Sequence, residues 1–187
     1  MPNHVTNKLV ANGTPEDTKN IFSSLKTENS DFDFNKILPM PEELVNTTSG
    51  SSEKTNPDFI AKYGYDNWYN WSNANWGTKW NAYDVEHISD TEVQFDTAWS
   101  CADNLIAKLS SLHQTVEFVL TFADEDTGSN CGIITYKNGE TLSYEDKSMG
   151  NLESDEASMR WAMIVKYGND DDYEEWFGDE DEEDEEY

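Results

Sequence analysis

The sequence predicts an α+β fold. Three observations carry the prediction. Several short segments alternate apolar and polar residues as strands do, amphipathic segments with helix-start residues lie among them, and Gly- or Asn-marked turns separate the pieces. In chain order they read strand, helix, insertion, hairpin, helix, strand, then an appended hairpin and a C-terminal helix. That is the split β-α-β order of a ferredoxin-like sandwich, interrupted after its first helix by a Trp-rich insertion.

Each element has its own signature. "HVTNKLVANG" reads as a strand ending at Gly13. "TPEDTKNIFSSLK" opens a helix with Thr14 as N-cap, Pro15 at the first helical position and Asp17 closing a capping box, and Ile21, Phe22 and Leu25 form its apolar stripe. An insertion of about residues 29–79 follows, made of "FDFNKILPMPEEL", a polar loop "NTTSGSSEKTN" that reads as mobile, and a Trp-rich stretch. "NAYDVEHI" and "TEVQFDTAW" form a hairpin through Ser89-Asp90, the second strand placing Val93, Phe95, Thr97 and Trp99 on one side. Ser100 and Asp103 repeat the cap-box pattern ahead of a helix with Cys101, Leu105, Ile106, Leu109 and Leu112 on one face. "TVEFVLTFA" alternates again, and "CGIITYKNGETLSYE" turns at Asn138-Gly139, a strong hairpin signal. Ser154 caps the last helix, which Gly168 ends. Residues 1–168 thus form one domain, and 169–187, with many acids and no base, read as a disordered acidic tail.

Composition narrows function. With 39 acids against 12 Lys plus Arg, the net charge is -27, so direct binding to nucleic acid or an anionic membrane begins with repulsion. Removing the tail leaves the body acidic in its own right. Cys101 and Cys131 lack the spacing of a thiolate zinc site. No signal-peptide pattern and no long apolar run is present, so the simplest expectation is a soluble protein of the cytoplasm, with reduced thiols. No cofactor is called for.

Five motifs in order, "MPNHVTNKL", "FDFNKILPMPEEL", "NWGTKWNAYD", "FDTAWS" and "FADEDTGSNCG", resemble the YubB-type ferredoxin-like family. The resemblance spans roughly residues 1–168. It implies a ferredoxin-like fold and carriage by phages, plasmids or other mobile elements. It implies no established activity and supplies no catalytic residues.

The densest candidate site is "NWYNWSNANWGTKWNAYD". Trp68 and Trp71, and then Trp76 and Trp80, stand at spacings that share a helical face, with Gly77 inviting a turn between the second pair. Packing as a second small core is the first reading. The functional reading is an aromatic surface of Trp68, Trp71, Trp76, Trp80 and Trp99, with asparagine amides, Lys79 and Asp84 completing a partner or ligand site. Lys79 invites a cation–π contact with Trp76 or Trp80. "ADEDTGSN" places Asp124 and Asp126 at alternate positions, a weak divalent-metal pattern, because Thr135 stands where a calcium loop needs Glu. A capped turn is the simpler reading. His4 and His87 sit on strands and could approach one another.

No nucleophile elbow, phosphate-cradling loop or metalloprotease helix is present, so binding is favoured over catalysis. The leading expectation is a non-catalytic acidic binding protein of a mobile element. It would act on a host protein, as a DNA mimic that inhibits a nucleic-acid-binding or defence factor. The alternatives are a small-ligand or divalent-metal module, and a phage structural or assembly protein.

Overall fold

The computed structural model describes residues 2–49 and 56–178. Six strands form one antiparallel sheet: β1 (His4–Asn12), β2 (Tyr83–Ser89), β3 (Glu92–Ala98), β4 (Glu117–Asp124), β5 (Cys131–Lys137) and β6 (Glu140–Asp146). Their order across the sheet is β2-β3-β1-β4-β5-β6. The first four are the ferredoxin-like arrangement. The appended hairpin continues the same sheet beyond β4, turning at Asn138 and Gly139, whose φ angles of 52° and 82° suit a tight hairpin turn.

One face of the sheet carries the core. Val5 and Leu9 of β1, Phe95 of β3, and Phe118 and Leu120 of β4 are inaccessible to water. They lie in one cluster with Leu105, Ile106 and Leu109 of α6 (Asp103–Leu112). Each such side chain contributes about 2 kcal/mol by leaving water. The insertion completes this layer through a 3-10 turn (Phe34–Lys36), α3 (Glu42–Val45), α4 (Pro57–Tyr63) and α5 (Trp68–Trp76). Its Phe32, Phe34, Ile37, Leu44, Trp71 and Trp76 join the sheet's own cluster, so the insertion builds no second core. Part of the polar loop, residues 50–55, lies outside the described residues.

Three local expectations are corrected. The first helix is two single turns, α1 (Pro15–Thr18) and α2 (Ile21–Ser24), broken where Asn20 takes a φ of 64°. Asn tolerates that conformation, and the Ser23 and Ser24 hydroxyls bond back to the Asn20 and Ile21 carbonyls. Ser100 does not cap α6. Its hydroxyl donates to the Gly77 carbonyl at 2.6 Å, and the helix starts after Ala102 without a side-chain cap.

The third correction concerns the tail. Residues 169–178 are structured, with α8 (Tyr173–Phe177) following α7 (Asp155–Tyr167). Arg160 of α7 lies 4.0 Å from the Tyr173 ring centroid and pairs with Glu156, Asp170 and Glu174, and Trp176 meets Tyr167 edge-on at 5.4 Å. Aromatic contacts and one well-placed guanidinium order a segment that charge count alone assigns to solvent. Residues 179–187 lie outside the described residues. Ala162 and Val165 of α7 pack with Ala123 and Cys131, a cluster separate from the main core.

Candidate aromatic and acidic binding site

The site forms where the chain leaving α5 meets the chain leaving β3. Gly77 ends α5 with φ 84°, and a Cβ there would stand 2.2 Å from an Asp103 carboxylate oxygen, so glycine alone fits. Thr78 Oγ1 donates to the Ala98 carbonyl at 2.9 Å and accepts from the Ala98 amide at 3.2 Å. Ser72 Oγ donates to the Lys79 carbonyl at 2.9 Å. With the Ser100–Gly77 bond, these fasten the two segments side by side.

Trp99 is the unusual residue. Its φ is 72°, rare for a bulky side chain and costing about 1–3 kcal/mol. The surroundings enforce it: the Trp99 amide donates to the Asn3 carbonyl at 2.9 Å, and its carbonyl accepts from Asn130 Nδ2 at 3.2 Å. Beneath it, buried Asn7 donates to Thr97 Oγ1, which donates to the Ser100 carbonyl, both at 2.8 Å. Strand alternation places Trp99 inward with Phe95. The positive φ instead leaves it 45% exposed.

Lys79 stands between two indoles, its Nζ 4.6 Å from the Trp80 ring centroid and 4.4 Å from that of Trp99. Trp80 is 39% exposed. Tyr69 meets Trp99 edge-on at 6.5 Å and Trp68 at 5.7 Å, while Tyr83 meets Trp80 at 6.4 Å, extending the aromatic patch on both sides. Tyr83 Oη donates to the Thr97 carbonyl at 3.0 Å and lies 2.8 Å from His4 Nδ1. Burial, then Asp96, Asp84 and Glu125, push its phenol up to about 12. Burial also raises the Asp96 carboxyl, with Asp84 and Glu125 adding to it. Asp84 is exposed on a positive φ of 48°.

Other sequence candidates fall elsewhere. Trp71 and Trp76 are 5% and 4% exposed and belong to the core, the Trp76 Nε1 donating to the Leu38 carbonyl. They cannot meet a partner. The asparagine amides are engaged within the chain: Asn67 caps α5, Asn70 donates to Asp66, and Asn81 accepts from the Phe34 and Ala82 amides. Lys79 stacks on Trp80 and Trp99, not on Trp76. Asp124 is buried, one carboxylate oxygen accepting from Asn3 Nδ2 and the Asp126 amide, the other from Asn130 Nδ2. That is a capped turn, and among the described residues no group of three His, Cys, Asp or Glu could hold a metal. His4 and His87 do not meet, since His87 Nε2 lies 2.9 Å from the Asp31 carbonyl oxygen.

Sequence reasoning missed a cleft of about 510 Å³ bordered by Gly77, Cys101, Asp103, Asn130, Tyr136 and Tyr144. Among the described residues the buried Tyr136 hydroxyl has no hydrogen-bond partner. Its position inside an alternating strand gave no signal beyond packing.

Charge is unevenly placed. Residues 140–187 hold nineteen of the 39 acids and three of the 12 bases. β6, the sheet's edge, is exposed at every residue and carries Glu140, Glu145 and Asp146, and α7 opens with Asp155 and Glu156.

Residues 75–163 match the family described as the ferredoxin-like domain in Api92-like protein. Among solved structures the chain is similar to the crystal structure of a protein api92 from Yersinia pseudotuberculosis. Identity is 12%, coverage is 58% of this chain and 51% of that one, and the TM-score is 0.39. The chain therefore spans about half the length of that protein. No curated protein matches it.

Proposed function

We propose that this chain is a non-catalytic acidic binding protein of a phage or other mobile element. It occupies the basic, nucleic-acid-binding surface of a host protein, such as a nuclease or defence factor, by standing in for DNA. One observation supports the reading most: carboxylates concentrated on ordered backbone, along the exposed edge strand and into α7 and α8. There Lys147 pairs with Glu145, and Arg160 gathers Glu156, Asp170 and Glu174. Glu140, Glu153, Asp155, Asp171 and Glu175 form no ion pair among the described residues. Fixed carboxylates present a basic groove with the kind of charge that DNA phosphates supply, about one per 1.7 Å of axis. The test is affinity capture of host proteins with the wild-type chain and with a variant neutralised at Glu140, Glu145, Asp146, Asp155 and Glu156. The proposal expects nucleic-acid-binding proteins in the wild-type eluate only, released by duplex DNA. Capture that ignores both the neutralisation and added DNA would refute it.

A second reading, a small-ligand or divalent-metal module, is favoured by the unpartnered Tyr136 hydroxyl at the cleft. Thermal melting with nucleosides and divalent cations checks it, since a ligand at about 100 times its Kd adds about 2.7 kcal/mol. An unchanged melting temperature across that panel removes it.

A further inference from the structure

Resting on the reading that the partner surface is basic, we infer that Trp80 and Trp99 form a clamp for one cationic side chain of that protein, best an arginine. Lys79 is the resident cation that the incoming side chain displaces. An ammonium held 4.6 Å and 4.4 Å from two indole centroids demonstrates that their spacing accepts a cation. A planar guanidinium, which stacks on aromatic faces, suits the same space.

Three further features bear on the clamp. Both indoles still reach solvent, at 39% and 45% exposure. Both lie on backbone fastened by the Thr78–Ala98, Ser100–Gly77 and Trp99–Asn3 bonds, so little ordering remains to be done on binding. Lys79 has no carboxylate partner among the described residues, so it leaves the rings without breaking an ion pair. Charge is complementary as well. Asp84, Asp96 and Glu125 act together on Tyr83, whose ring adjoins Trp80.

The test titrates a capped hexa-arginine peptide into the full chain, read by tryptophan fluorescence. The variants are Trp80→Leu, Trp99→Asn (Asn tolerates positive φ) and Lys79→Met, with exposed Lys36→Met as the charge-matched control. The clamp predicts about tenfold weaker binding for each Trp variant, and about threefold tighter binding for Lys79→Met than for Lys36→Met. Equal affinity of Trp80→Leu and wild type, a Lys79→Met no tighter than the control, or no binding by wild type each overturns it. Melting curves verify folding. If Trp99→Asn does not fold, Trp80→Leu and the lysine pair decide. Peptide binding that survives the Trp changes but falls in the carboxylate-neutralised variant removes the clamp and leaves the acidic reading standing. The reverse pattern removes the acidic reading and leaves the clamp.

Discussion

Asn7 shows how one residue can position another across the fold. It lies on the buried face of β1, yet its amide and Thr97 together brace the turn that presents Trp99. Buried ionisable groups give a second residue-scale consequence, in pH dependence. Burial, with Asp103 adding, pushes the Cys101 thiol from 9.0 to about 12, and Tyr83 moves from 10.0 to about 12. Both are held protonated in the folded chain while the unfolded chain releases its protons first. Their contribution is therefore complete below about pH 9 and declines as pH rises from 9 to 12. Chemical denaturation at stepped alkaline pH should show that decline beginning near 9 in wild type and running shallower in Cys101→Ala, where Cys131, whose thiol burial also raises from 9.0, and then Tyr83 remain. Identical curves for the two proteins would contradict the assignment.

At the scale of elements, the appended hairpin and the last two helices matter most. The tip of the hairpin docks on α6: the Gly139 amide donates to Ser110 Oγ at 2.9 Å, and a Cβ at Gly139 would lie 3.1 Å from the Ser111 Cβ. With a φ of 82° as well, Gly139→Ala should cost about 1–2 kcal/mol, measured by urea titration. A cost near zero would show that the turn relaxes freely. For α8 the expected hinge is Arg160. Arg160→Met removes its three carboxylate contacts and its stacking on Tyr173, so Trp176 should become more solvated, with red-shifted emission, while the sheet keeps its circular dichroism. An unchanged emission maximum would mean that aromatic packing alone holds the helix. Strands and the α7 boundaries were legible in the sequence because alternation, Ser154 and Gly168 are local signals. The break at Asn20 was not, because the capping signals of Thr14, Pro15 and Asp17 mark where a helix starts and not where it breaks; nor was the late start of α6, because Ser100 donates its hydroxyl to the distant Gly77 carbonyl.

At the scale of the whole molecule, the sheet order was readable because strand and helix order leaves few topologies. The site was only half readable. Composition pointed to the Trp-rich stretch, but not to the division between Trp71 and Trp76 in the core and Trp80 at the surface, nor to Trp99 arriving from another strand. That division comes from Gly77 ending the helix and from contacts with Asn3 and Asn130, far away in the chain. Part of the molecule's acidity is placed on an exposed edge strand and two helices, and the aromatic patch of Trp80 and Trp99 holds the Lys79 ammonium. If recognition proceeds through those charges, affinity for the captured host protein must be governed by salt. The decisive measurement is that affinity for wild type and the five-carboxylate variant between about 50 and 200 mM salt. A steep fall for wild type that flattens in the variant is predicted; an affinity independent of salt, or equal slopes for both chains, would contradict it.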